Sequence, residues 1–300
     1  MDEDVHVREV LEKLYQHHNI RGRVIFTPFT DSSFAKLGVE KDVAIRSNNH
    51  TIAWTHRKYQ NSDIYFISNQ KHEEQKLRLS FRVIDKEPEV WNPVTGEIEK
   101  TDWKIEGSRS SVSLSLQPAQ SFFIIFRKVP KQKSVVKKSN GYVLKFNDKW
   151  TLQFDKKYGG PQQKVIFDSL VSWTESPDLS IKYYSGTVIY RNSFNLSDKD
   201  FSKKGWIELD SVFNMATVKI NGIDCGTMWT QPFTTEITKA LKKGINTIEI
   251  EVSNTWHNRL IRDNMLPEDK RITWTTAPFY LKDKPLLPAG ITGKIKLVIE

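Results

Sequence analysis

One cysteine, Cys225, stands in 300 residues. That excludes an intrachain disulfide, and no CxxC or Cys/His cluster is present to hold zinc. Cys225 lies on a strand-and-turn pattern and reads as a small core residue. No apolar run approaches the roughly 18 residues needed to cross a bilayer, so no membrane partner is expected. The opening "MDEDVHVREVLEKLYQHHNI" has neither a basic n-region nor an apolar h-region, so no signal peptide is expected there. There is no Gly-x-Ser-x-Gly to present a nucleophilic serine, and no glycine-rich loop follows a strand to cradle phosphate. No internal repeat occurs.

Charged residues are 27% of the chain and hydrophobic residues 38%, which is globular rather than disordered composition. The length suffices for two ordinary domains, each with its own core. The net charge of +9 is unevenly spread. "RKVPKQKSVVKKSN", residues 127–140, carries Arg127, Lys128, Lys131, Lys133, Lys137 and Lys138 and no acid. Mixed with Pro, Ser and Asn, these read as a solvated connector. A nucleic-acid site would need such charges to converge on a folded face, so no nucleic-acid partner is expected.

The fold class expected is mainly β: two antiparallel β-sandwiches, with a short α/β piece ahead of them. Over residues 5–18, Val7, Val10, Leu11 and Leu14 recur at helical spacing and predict an amphipathic helix. "GRVIFTPF" (22–29) predicts a strand. Together, residues 1–40 read as a helix-plus-strand remnant of a preceding α/β domain. Residues 41–128 predict a small sandwich. "TIAWTHRKY" and "DIYFISNQ" form a hairpin around Gln-Asn-Ser, "KLRLSFRV" alternates strictly, "EVWNPVTGEIEK" is strand-turn-strand, and "SFFIIF" closes the unit as a buried strand. Residues 129–140 are the basic linker. Residues 141–300 predict a jelly roll with seven strand candidates: "WTLQF", "TVIYRNSFNL", "GWIELDSV", "MATVKING", "IDCGTMW", "NTIEIEVSN" and "GKIKLVIE". Asn221-Gly222 supplies the positive-φ pair of a type I′ turn. "TTEITKALKKGIN" predicts a short helix with Thr235 as N-cap and Gly244 at its C-terminus.

Several stretches act as a set: "SGTVIYRNSFNL", "VKINGIDCGTMWTQPFTTEITKALKKGINTIEIEVSNTWHNRLIRDN" and "LPAGITGKIKLV". They resemble the sugar-binding, galactose-binding-like β-sandwich of glycoside hydrolase family 2. "NTWHNRLIRDNMLPEDKRITW…PLLPAGITGKIKL" is more similar to the C-terminal part of α-L-rhamnosidases of glycoside hydrolase family 106. "IAWTHRKYQNSDIYFISNQ", "VWNPVTGEIE" and "LQPAQSFFIIF" resemble the preceding sandwich of the same proteins. The resemblance covers roughly residues 40–300. It implies a parent glycoside hydrolase, periplasmic or extracellular, whose catalytic (β/α)8 barrel lies N-terminal to these domains and is the main partner of this chain. The expectation is a non-catalytic accessory region. The alternatives are a free-standing carbohydrate-binding protein and a glycosidase in its own right.

Glycoside hydrolysis needs two carboxyls about 5–10 Å apart across a sugar. Asp263, Glu268 and Asp269 beside Trp256 and Trp274 form the richest candidate cluster, against a plain reading as a solvated loop balancing Arg259, Arg262, Lys270 and Arg271. No catalytic residue is assigned. Sugar binding needs aromatic faces and planar polar groups. Trp229, Gln231, Asn254, Trp256, His257 and Trp274 are the candidate glycan contacts, against a reading in which these loops pack on the barrel. Tyr183 and Tyr184 are a weaker second surface. His257 has no second histidine at metal spacing. No metal ligand or cofactor is assigned; a structural calcium held by loop oxygens is conceivable in such sandwiches, though no Asp-x-Asp-x-Asp run marks a site.

Overall fold

A computed structural model describes residues 2–16, 30–45, 51–99, 101–128, 141–144, 146, 149–277 and 283–299. The expected strand at 22–29 and the basic linker at 129–140 lie outside the described residues. The chain divides into two compact units, Met1–Leu116 with Ser121–Val136, and Gln117–Gln120 with Lys137–Glu300.

The first unit opens with helix α1 (Asp2–Gln16) and a short α2 (Asp31–Lys36). Of the stripe read as amphipathic, Val7, Val10 and Leu11 are exposed. Nine strands follow: β1 (Val43–Ile45), β2 (Ile52–Tyr59), β3 (Ser62–Asn69), β4 (Gln75–Phe81), β5 (Glu87–Trp91), β6 (Ile98–Glu99), β7 (Trp103–Glu106), β8 (Arg109–Leu116) and β9 (Ser121–Lys128). They form two antiparallel sheets, ordered β1-β4-β8-β7 and β2-β3-β9-β5-β6. Alternation in the sequence sets the core: Leu77, Leu79 and Phe81 from β4, with Val83 just beyond it, meet Tyr65 and Ile67 from β3 and Phe122, Ile124 and Phe126 from β9.

A partly buried polar cluster borders this apolar core. His56 lies between two aspartates, Nδ1 2.6 Å from Asp42 and Nε2 3.2 Å from Asp63, and stacks on Tyr65 at 4.1 Å. Burial by itself raises the Asp63 carboxyl. The Lys86 ammonium at 2.5 Å and the His56 contact outweigh it and hold Asp63 below its ordinary range.

The second unit holds β10 (Tyr142–Leu144), β11 (Trp150–Gln153), β12 (Val165–Phe167), α3 (Leu179–Lys182), β13 (Thr187–Leu196), β14 (Gly205–Phe213), β15 (Met215–Ile220), β16 (Ile223–Met228), β17 (Phe233–Glu236), β18 (Gly244–Ser253), α4 (His257–Asn264) and β19 (Gly290–Ile299). Again two antiparallel sheets form, ordered β10-β19-β14-β17 and β12-β11-β13-β18-β15-β16. Three of these strands, β10, β12 and β17, exceed the seven read from sequence. Asn221 and Gly222 have φ of 52° and 82°, which joins β15 to β16 as a type I′ hairpin.

The helix expected over "TTEITKALKKGIN" is corrected. Phe233–Glu236 is a strand pairing with β14, and only Thr238–Ala240 turns, as a 3-10 segment. Thr235 is not a cap: its hydroxyl donates to the Cys225 carbonyl. Gly244 does not end a helix but begins β18. Burial of Phe233, Ile237, Ala240 and Leu241 in the sandwich outweighs the weak local helical preference of so short a segment. Cys225 is half-buried against the core, and burial pushes its thiol up.

A fully buried polar link crosses between the two layers at Tyr190. Tyr190 of β13 is fully buried; its hydroxyl accepts from Trp173 Nε1 at 2.6 Å and from the Ile291 amide of β19 at 3.3 Å. Gly290 lies against this pair with φ of 92°, and a β-carbon there would stand 2.4 Å from Trp173 Nε1. Glycine is required here by both the backbone and the contact.

Candidate functional site

Register gathers the loops of interest at one end of the second sandwich. Thr187, first in β13, pairs with Ser253, last in β18; Ser253 pairs with Met215, first in β15; Ala216 pairs with Met228, last in β16. The chain therefore leaves β16 toward Trp229 and leaves β18 toward Asn254 at the same end. Two strand spacings separate these exits, about 10 Å.

Three of the candidate side chains are exposed indoles: Trp229 at 59%, Trp256 at 43% and Trp274 at 82%. Trp229 and Gln231 belong to the loop that passes from β16 to β17, and so from one sheet to the other. Gln231 is half-buried and joined to Pro232 by a cis peptide. Trp256 lies edge-on to Tyr158 at 5.3 Å.

The polar candidates are tied to the framework. Asn254 accepts from the Gly186 amide and donates to the Tyr184 carbonyl, both at 2.9 Å. Nε2 of His257 donates to the Pro285 carbonyl at 3.0 Å. The neighbouring Asn258, buried, exchanges two hydrogen bonds with the Leu287 backbone. The helix α4 that follows thus clamps the 284–288 stretch at its N-terminal end.

Asp263 is not on a solvated loop. It lies in α4, 2% exposed, and its oxygens are taken up within the fold. Oδ1 accepts from Arg259 at 2.5 Å; Oδ2 accepts from the Ile272 amide, the Thr273 amide and the Thr273 hydroxyl at 3.1, 2.7 and 2.6 Å. Burial alone raises this carboxyl, but Arg259 and the Thr273 donors reverse the shift and hold it below the ordinary range. The physical reason for the correction is the i,i+4 spacing, which places the guanidinium over the carboxylate and lets both be buried together. Glu268 and Asp269, on a separate 3-10 turn, are exposed.

The pair Tyr183–Tyr184 also divides. Tyr184 is 1% exposed and is no surface residue: its hydroxyl accepts from the Asp155 amide and donates to the Thr187 carbonyl. Tyr183 carries the Arg262 guanidinium 5.5 Å above its ring. At the other end of the sandwich, a cleft of about 290 Å3 is lined by Asp224, Cys225, Glu236 and Lys239 among others. Among the described residues no group of three or more His, Cys, Asp or Glu converges for a metal ion.

Chemically, the three exposed indoles offer apolar ring faces to solvent. The frame residues Asn254 and Asn258 owe their roles to partners tens of residues away, which no local pattern marks, whereas Arg259 meets Asp263 at i,i+4.

Comparison with known proteins follows the same division. Residues 1–105 match the family described as alpha-L-rhamnosidase, glycoside hydrolase family 106. Residues 162–282 match the galactose-binding domain-like family of glycosyl hydrolase 2. The solved rhamnosidase from Novosphingobium sp. PP1Y is 31% identical, with a TM-score of 0.79 over 98% of this chain. A putative beta-glucuronidase from Formosa agariphila is 35% identical over 45% of this chain. The chain spans 28% of the rhamnosidase and 14% of the putative glucuronidase. This chain is therefore related to the glycoside hydrolases, with a segment similar to family 106 α-L-rhamnosidases followed by a galactose-binding-like domain of the family 2 type.

Proposed function

We propose that this chain is a non-catalytic accessory region of a glycoside hydrolase resembling α-L-rhamnosidase, organised as the remnant 1–40, the sandwich 41–128, the linker 129–140 and the jelly roll 141–300. It supports a catalytic (β/α)8 barrel and contacts glycan through Trp229, Trp256 and Trp274, with Gln231 as the polar contact and Asn254 and His257 holding the loops in place. The observation that carries the reading is the set of exposed indoles: Trp229 on the loop between the sheets, and Trp256 and Trp274 next to residues tied to the framework by hydrogen bonds. Rigid aromatic faces of this kind cost little ordering entropy on binding. The reading is also supported by the full engagement of Asp263 within the fold, which leaves that carboxylate committed to structure rather than chemistry.

Isothermal titration of the chain with rhamnose- and galactose-containing oligosaccharides tests the glycan contact. Binding that disappears in Trp229→Ala and Trp256→Ala supports it; titrations without heat for every sugar reject it and leave only the supporting role. Turnover of an aryl glycoside by the purified chain, abolished by Glu268→Gln, would replace this reading with that of a glycosidase.

A further inference from the structure

The end of the second sandwich opposite the indoles holds a cleft where the edges of its two sheets meet. β16 is the last strand of one sheet and β17 the last of the other. Hydrogen bonds fix both walls. The Thr235 hydroxyl of β17 donates to the Cys225 carbonyl of β16. Asn221 Nδ2, in the β15–β16 turn, donates to the Ala240 carbonyl at 2.9 Å. The second wall is also tied to β14: the Gly205 amide donates to the Thr238 hydroxyl at 3.1 Å, and the Ile237 amide donates to the Gly205 carbonyl at 2.8 Å. The cleft of about 290 Å3 takes its lining from both walls. Its shape therefore exists before any ligand arrives, which lowers the ordering cost of binding.

The lining is apolar at its base and charged at its rim. Ile237 and Ala240 are buried, at 1% and 5% exposure. Asp224, Glu236 and Lys239 are exposed. Asp224 uses one oxygen to accept from the Gly226 amide at 2.8 Å and keeps the other free. Among the described residues, the Glu236 carboxylate and the Lys239 ammonium have no hydrogen-bond or ion-pair partner. The signs decide what fits. Two carboxylates oppose an anion, and the ammonium opposes a cation. A neutral ring with several hydroxyls satisfies all three, because a hydroxyl donates to a carboxylate and accepts from an ammonium. The exposed Ile223 offers an apolar wall to the C–H face of such a ring. The volume lies at the lower end of small-ligand pockets, roughly 300 Å3, so it suits one ring rather than a chain.

From this we propose that the cleft is a carbohydrate site distinct from the indoles, holding one neutral pyranose ring. Asp224 and Glu236 accept from its hydroxyls and Lys239 donates to one. The site rests on none of the residues assigned to the indole surface and stands or falls without them.

Amide chemical shifts of the full chain, followed by nuclear magnetic resonance, test this. The probes are the methyl glycosides of rhamnose, galactose and glucose, with methyl glucuronide and glucosamine as charged comparisons, each raised to about 50 mM. The expected result is that at least one neutral glycoside shifts the amides of Asp224, Glu236 and Lys239, with a Kd of about 1–10 mM, and that both charged sugars bind more weakly. Glu236→Ala and Lys239→Met should each raise that Kd at least fivefold with an unchanged circular dichroism spectrum, since both side chains are exposed. Trp229→Ala should leave it unchanged. Cleft amides that stay still for every sugar overturn the proposal. Shifts confined to the amides around Trp229 and Trp256 overturn it while upholding the indole surface. Tighter binding of either charged sugar, or indifference to both Glu236→Ala and Lys239→Met, overturns it as well.

Discussion

Arg259 and Asp263 form a buried ion pair one helical turn apart, and the second oxygen of the same carboxylate fixes the backbone of Ile272 and Thr273. The segment carrying the exposed indole Trp274 is thereby anchored to Asp263 through Thr273, the residue immediately before the indole. Asp263→Ala would leave a buried guanidinium and two backbone amides without their acceptor. The expected loss is about 3–5 kcal/mol, read as a lowered denaturation midpoint by tryptophan fluorescence. Asp263→Asn, which keeps an acceptor oxygen, should cost less.

The same carboxylate predicts an acid limb. Its folded pKa is lowered below the ordinary 3.8. Its contribution is therefore present above the unfolded value and is lost as pH falls through and below it. Stability measured by denaturant should decline from about pH 5 downward. In Asp263→Asn the slope should be shallower, because the group no longer titrates. An unchanged slope would contradict the assignment.

Tyr190 predicts a cost of a different kind. Tyr190→Phe keeps the ring but removes the acceptor shared by Trp173 and the Ile291 amide. About 1–3 kcal/mol should be lost. Gly290→Ala should be worse than its size suggests, at least about 2 kcal/mol, because the new methyl meets the Trp173 ring nitrogen in a left-handed backbone position. Thermal unfolding followed by near-ultraviolet circular dichroism would report both.

Trp229→Ala and Trp274→Ala should leave stability within about 0.5 kcal/mol of wild type, since both indoles are exposed. Any loss of sugar binding in these variants would then be assignable to the removed ring. A large drop in thermal stability would instead show that the rings hold the loops.

Strong periodicity made most of the sheet framework legible. "TVIYRNSFNL" was read as a strand and is β13 in full, and Asn221-Gly222 announced its turn by chemistry that few other dipeptides share. The failures have a common physical source. Phe233–Glu236 and the short strands β10 and β12 are too brief to show a period and exist because a neighbouring strand offers bonds. Helix α4, "HNRLIRDN", has a polar sequence whose stabilising contacts are buried side-chain bonds rather than an apolar stripe. Tyr184 looked like half of a surface pair, but its hydroxyl is used by the 155 and 187 backbones. Asn254 was singled out for its amide. That amide spans 68 and 70 residues of sequence to reach its partners, a distance no local pattern encodes.

The hydroxyl of Tyr190 rivets one layer of the second sandwich to the other through the Ile291 amide. Sliding of the two sheets past each other would break that bond in a dry interior, so shear is resisted at the very end where Gly290 begins its strand. Loops rooted there can diversify in length and composition while the platform beneath them keeps its dimensions.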